Sequence, residues 1–241
     1  MGAACGHRCR SSRRCGHRGG TPGSGCGLGA GDAGWRRGHL TRLLLTRHGE
    51  TDWNTARRIQ GWSDIPLNER GREQARRLAQ RLAGEELAAI YASDLDRCLE
   101  TAAIVRGSRP LPLRVTEALR ELCYGSLEGL TWDELIAQGR EEWLRRWNAG
   151  QAEAPPGGEA LADAWARADR FLSCILLRHP GETVLVVTHG GLLRLLICRL
   201  QGLGYERWGT VRTANTGLTE IVVEPGKPAQ VIRLNDTEHL L

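Results

Sequence analysis

Two apolar runs of strand length, Leu43-Leu44-Leu45 and Val184-Leu185-Val186-Val187, constrain this chain more than any other feature. Neither alternates with polar residues, so each reads as a central strand covered on both faces, the habit of parallel sheets wrapped by helices. The two runs end alike, in Thr46-Arg47-His48-Gly49 and in Thr188-His189-Gly190-Gly191. Around them, other apolar runs alternate with amphipathic segments. Asn68 is placed to cap a helix in which Ala75, Leu78, Ala79 and Leu82 recur on one face. Further helices are expected at about 95–106, 131–147, 160–178 and 191–202, with short strands near Ile90-Tyr91 and Leu218 to Val223. The pattern predicts an α/β domain over residues 41–241, three-layered, with a mostly parallel central sheet flanked by helices.

Residues 1–40 differ in kind. They hold seven arginines, one acid, twelve glycines and four of the eight cysteines, with no apolar run that starts a core. Such a stretch reads as a disordered Gly/Arg/Cys-rich extension, or as the result of a start codon assigned too early. The whole chain carries +5; without this segment the balance of residues 41–241 is about −1 by the same count. The basic charge therefore belongs to the tail, which could stick to RNA or another acidic surface, and net charge gives the domain no nucleic-acid reading. No stretch has the roughly 18 apolar residues of a membrane helix, and the arginine-rich start lacks the apolar segment of a secretory signal; both point to a cytoplasmic protein with no membrane partner. Cys98, Cys123, Cys174 and Cys198 stand singly in apolar surroundings and are expected as reduced core thiols. Cys5, Cys9, Cys15 and Cys26, with His7 and His17, lack the paired spacing of a zinc site.

Four positions require a chemical account: His48 and His189 past their strands, Arg97 in the first turn of a helix, and Glu121 in a loop. In open α/β sheets ligands bind beyond the carboxyl ends of the strands, so residues distant in sequence converge there. A lone histidine at a strand end is ordinarily just a hydrogen-bonded residue, and a lone Glu121 a solvated loop charge. Two histidines in matching places, with Arg47 and Arg97 to clamp phosphoryl oxygens, point to phosphate chemistry. Gly190 and Gly191 at a helix start let backbone N–H groups approach an anion.

Leu45 to Asn54, then Ser93 to Ala102, then Glu121 before Tyr124-Gly125, then Thr188 to Gly191 together resemble the histidine phosphatase (phosphoglycerate mutase-like) superfamily. The resemblance covers residues 41–241, including Gln60-Gly61, Pro66-Leu67 and Asn215-Thr216, and none of residues 1–40. It implies His48 as nucleophile, neutral and held by a backbone carbonyl at its other ring nitrogen. It implies Arg47, Arg97 and His189 as the phosphate pocket, Asn54 as a further donor, and Gln60, Gly61 and Gly190 at the substrate. Glu121 would be the general acid and then the base, its carboxyl buried among Leu119, Leu122 and Tyr124. No metal and no cofactor are implied, because the cationic side chains neutralise charge.

The mutase branch typically follows its glutamate with basic residues, whereas Glu121 to Gly129 contains none before Arg140. The stretch is more similar to small phosphatases such as those acting on α-ribazole 5′-phosphate, which also carry a Pro-Gly-Gly-Glu segment like Pro156 to Glu159. The expectation is a phosphatase of small phosphate monoesters, α-ribazole 5′-phosphate or a sugar or glycerate phosphate. A phosphoglycerate mutase and a non-catalytic phosphate-binding protein are the alternatives. The segment from Thr131 to Trp147, with Trp132, Trp143, Trp147, Arg140, Arg145 and Arg146, is either a specificity cover over the pocket or ordinary packing. Monomer and homodimer both stay open.

Overall fold

A computed structural model describes residues 40–241. The tail lies outside the described residues, and with it Cys5, Cys9, Cys15, Cys26, His7 and His17. In chain order the elements are β1 (Thr41–Arg47), α1 (Asp52–Thr55), α2 (Glu69–Arg81), β2 (Ala89–Ala92), α3 (Asp96–Arg106), β3 (Leu113–Val115), α4 (Trp132–Ala137), α5 (Glu141–Asn148), α6 (Leu161–Arg178), β4 (Thr183–Thr188), α7 (Gly190–Leu200), β5 (Leu218–Val223) and β6 (Gln230–Asp236). They form one sheet ordered β3-β2-β4-β1-β5-β6. The pairs β3/β2, β2/β4 and β4/β1 are parallel; β1/β5 and β5/β6 are antiparallel.

Period-two alternation distributes the apolar runs between two cores. Leu43, Leu45, Val184 and Val186 face the side covered by α6 and α7, whereas Leu44, Leu185, Val187 and Ile90 face the side of α2 and α3. Every one of these side chains is fully buried. The Asn68 cap is present, its side chain accepting from the Gly71 N–H at 2.8 Å. The helix expected across 131–147 is instead two, broken where Gly139 takes φ +75°. Strands β3 and β6 were not expected. β3 has three residues, and both strands are sheet edges exposed enough to lack an apolar signature.

The cysteines correct one expectation. All four are free, but Cys98 and Cys198 alone are buried, while Cys123 is half-buried and Cys174 exposed on α6. No helix of the described residues is long and apolar enough to cross a membrane.

Candidate active site

The ends of β1 and β4 lie side by side, Arg47 opposite Thr188, and the His48 N–H donates to the Thr188 carbonyl at 2.9 Å. From the other side Asn215 donates through Nδ2 to the His48 carbonyl at 2.9 Å, and the Thr216 N–H donates to the Arg47 carbonyl. The backbone that carries His48 is thus fixed across its width. Within the ring, Nδ1 donates to the Gly49 carbonyl at 2.7 Å, which leaves Nε2 as the unprotonated nitrogen. Burial, reinforced by the charges of Arg97 and Arg47, holds His48 well below the usual histidine pKa, so the ring is neutral.

His189 stands in the matching place with a different environment. Arg97 donates through Nε to its Nδ1 at 3.1 Å, and its Nε2 approaches the Cys98 sulfur at 3.4 Å. It is fully buried, its ring edge-on to His48 with centroids 5.2 Å apart, and lies behind the pocket wall rather than on it. Burial and then Arg97, His48 and Arg47 hold it neutral as well.

The cations are tied unequally. Arg97 is fully buried and spends Nη1 and Nη2 on the Ser63 and Gly61 carbonyls at 2.8 and 2.7 Å. Arg47 donates weakly to the Thr213 carbonyl at 3.3 Å, and its buried Nε has no partner among the described residues. Asn54 accepts through Oδ1 from the Thr51 N–H and from Asn215, which leaves its amide N–H₂ to donate. Gln60 lines the pocket with a buried Oε1 that has no partner among the described residues. Gly61 has φ +53°, and a Cβ there would fall 2.1 Å from Glu128 Oε1.

The glycine pair after His189 serves another anion than expected. The Glu121 carboxylate itself sits on the start of α7: Oε1 accepts from the Leu122 and Leu192 N–H groups at 2.9 and 3.1 Å, and Oε2 from Gly191 at 3.0 Å. A Cβ on Gly191 would lie 2.5 Å from Oε1 and 2.7 Å from Leu122 Cδ1. Leu119, Leu122 and Tyr124 are buried as expected, but the carboxylate rests among three N–H groups rather than in an apolar cage.

Arg47, His48, Asn54, Gln60, Gly61, Arg97, Glu121 and Gly190 line one cavity of about 680 Å³. Of the segment expected to cover it, Trp132 reaches the wall, and Asn148 just beyond it does so too. Trp143 and Trp147 instead stack on each other at 5.2 Å in the core, and Arg140, Arg145 and Arg146 stay off the wall. Among the described residues no group of three or more His, Cys, Asp or Glu side chains is placed to hold a metal ion.

Residues 43–237 match the family model described as the histidine phosphatase superfamily, branch 1. The chain belongs to this superfamily. It is 33% identical to phosphoserine phosphatase 1 of Hydrogenobacter thermophilus, over 83% of this chain and 95% of that one. It is 34% identical to 2,3-bisphosphoglycerate-dependent phosphoglycerate mutase 2 of Gloeobacter violaceus, over 70% of this chain and 79% of that one. Among solved structures, Bacillus stearothermophilus YhfR superposes with a TM-score of 0.77 at 43% identity, covering 83% of this chain and 100% of that one. The alpha-ribazole phosphatase of Shigella flexneri gives 0.73 at 31%, covering 81% and 96%. The sheet is the phosphoglycerate mutase-like fold of these neighbours, and phosphatase or mutase activity fits the chain.

Several residues around the cavity of this superfamily member were not singled out from sequence. Arg57, Arg58, Arg194 and Arg212 add four guanidiniums to the cavity wall, and Trp208 lines it beside them. Arg194 lies 5.7 Å over the Trp208 ring, and its buried Nε has no partner among the described residues. Its sequence signal was a cation within the leucine run of α7, one turn beyond Gly190. Glu128 is the hub of the loop that receives Arg97, accepting from the N–H groups of Trp62, Ser63 and Tyr124 and from Ser63 Oγ.

Proposed function

We propose that this chain is a metal-independent phosphatase that hydrolyses a small phosphate monoester through a phosphohistidine on His48, and that the remainder of the substrate carries a second negative charge. The observation that carries the reading is the His48 ring: neutral, locked by the Gly49 carbonyl, with Nε2 bare in a cavity shared with Arg47, Arg97 and Glu121. Nε2 attacks phosphorus while the P–O ester bond breaks, and Glu121 gives its proton to the leaving alkoxide. Oε1 already accepts two N–H bonds and Oε2 only one, so Oε2 is the oxygen with room for that proton. Water then attacks the phosphohistidine, Glu121 takes its proton, and the P–N bond breaks to release phosphate. Arg47, Arg97, Asn54 and Gly190 supply the donors and positive charge that the phosphoryl oxygens need, and His189 holds Arg97 and His48 in place.

Arg194 supports the second charge. A buried guanidinium nitrogen without a partner is costly, and a ligand carboxylate satisfies it. This favours phosphorylated hydroxy or amino acids over α-ribazole 5′-phosphate. Hydrolysis is favoured over transfer because the loop bearing Glu121 brings no cation of its own: Arg120 turns away to Asp94 and stacks over Trp62 at 5.0 Å. The mutase reading draws on the same four extra arginines, which restore part of the charge that the Glu121 stretch lacks.

Phosphate release from phosphoserine, 3-phosphoglycerate and α-ribazole 5′-phosphate with chelator present, beside 3-phosphoglycerate isomerisation, tests the reading. Chelator-resistant hydrolysis, acid-labile labelled enzyme and loss of both in His48→Ala are expected. Isomerisation without hydrolysis would assign the mutase branch, and hydrolysis surviving in His48→Ala would remove the phosphohistidine.

A further inference from the structure

A second cavity, about 850 Å³ and larger than the catalytic one, opens between edge strand β3 and helix α6. The two share no lining residue. Five arginines and two glutamates line it, in a domain whose own charge is close to neutral. Arg114 and Arg170 are exposed at its rim and make no ion pair or hydrogen bond among the described residues. Its floor is apolar: Leu113, Phe171 and Ile175, with the Tyr91 ring edge-on to Phe171 at 5.8 Å.

The far wall is the back of the loop that carries Glu121. Arg167, which lines this groove, donates through Nη1 to the Ala118 and Arg120 carbonyls and through Nη2 to the Glu121 carbonyl, while pairing with Glu159 at 2.7 Å. Trp62, also in the wall, donates from Nε1 to the same Glu121 carbonyl at 2.8 Å. One segment therefore presents its backbone to this groove and its carboxylate to the catalytic cavity.

We propose that the groove is an effector site for a small anion with an aromatic ring body and two or more phosphate charges, the class of the nucleoside diphosphates. Guanidiniums at a concave rim take phosphate by charge-assisted bonds, and a cavity of this size over an apolar floor holds a drug-sized body. A peptide added to the sheet edge fits less well, because β3 offers only Leu113–Val115 and follows Pro110 and Pro112. Phosphate at the rim draws on Arg167, which loosens the Glu121 backbone and lowers turnover without entering the catalytic cavity.

The exposed Cys174 in this groove reports occupancy independently of activity. ADP is expected to slow its alkylation, read by peptide mass, and to lower kcat with KM unchanged. Pyrophosphate, which lacks the body, is expected to do neither at the same concentration. The double variant Arg114→Ala/Arg170→Ala keeps parental turnover without ADP and binds ADP about tenfold more weakly. ADP inhibition competitive with substrate, unprotected Cys174 at inhibiting ADP, or equal protection by pyrophosphate would each overturn the proposal. So would Cys174 protection that rises with protein concentration in the absence of ADP, since a second copy would then cover the groove. None of these outcomes depends on which monoester the enzyme hydrolyses.

Discussion

His48 and His189 sit at the ends of neighbouring parallel strands, both followed by glycine, both buried and both neutral. Yet one faces the cavity with a bare nitrogen, and the other stands behind it with Arg97 on Nδ1 and sulfur against Nε2. Equivalent placement on a sheet does not confer an equivalent task. What separates the two is the hydrogen bond at Nδ1: His48 donates to a carbonyl, and His189 accepts from a guanidinium.

The sharpest test of that difference is substitution. His48→Ala is expected to lose about 10⁴-fold or more in kcat and to form no labelled enzyme, as removal of a nucleophile does. His189→Ala is expected to lose on the order of 10²-fold and still to form the phosphohistidine, because it acts through its neighbours. Equal losses with no labelling in either would erase the distinction.

A smaller effect separates the adjacent glycines. Gly191→Ala places a methyl against the Glu121 carboxylate, and kcat is expected to fall about tenfold or more with KM nearly unchanged. At Gly190 a Cβ meets nothing nearer than Arg47 Nε at 3.4 Å, so Gly190→Ala is expected to lose less. Arg194→Ala is expected to raise KM for phosphoserine about tenfold and to leave p-nitrophenyl phosphate nearly untouched. An unchanged ratio between the two substrates would remove the second-charge reading.

The smallest expected effect is on stability. Both histidines are held neutral in the fold and take up protons when unfolded. Their contribution is therefore complete above the unfolded histidine pKa of about 6.5 and is lost as pH falls below it. Unfolding by denaturant between pH 7.5 and roughly 5 should show stability falling with acidification, with a shallower slope in His189→Asn. A slope unchanged by that substitution would show that His189 is not the proton acceptor.

Much of this was legible in the residues themselves. Continuous apolar runs marked β1 and β4 because these strands are covered on both faces, and Asn68 marked its helix because capping is local chemistry. The residues that meet in the cavity were found through matching strand ends and through the resemblance they carry. What escaped depended on distant partners. Glu121 lies on the start of α7 because of a contact spanning 70 residues. Arg194 read as an interruption in a buried helix, and its exposure to the cavity follows from how α7 meets Trp208. Edge strands β3 and β6 had too little burial to leave a periodic signature.

The strand order also sets a timetable. β1, the first strand of the described residues, lies between β4 and β5, and the peptide carbonyls of Arg47 and His48 are secured by Thr216 and Asn215. A ribosome that has released the first half of the chain has therefore released the whole Arg47-His48-Gly49 motif with no site around it. The site therefore closes only once Asn215 and Thr216 have emerged, and a chain cut short before them is expected to leave the His48 backbone unsecured.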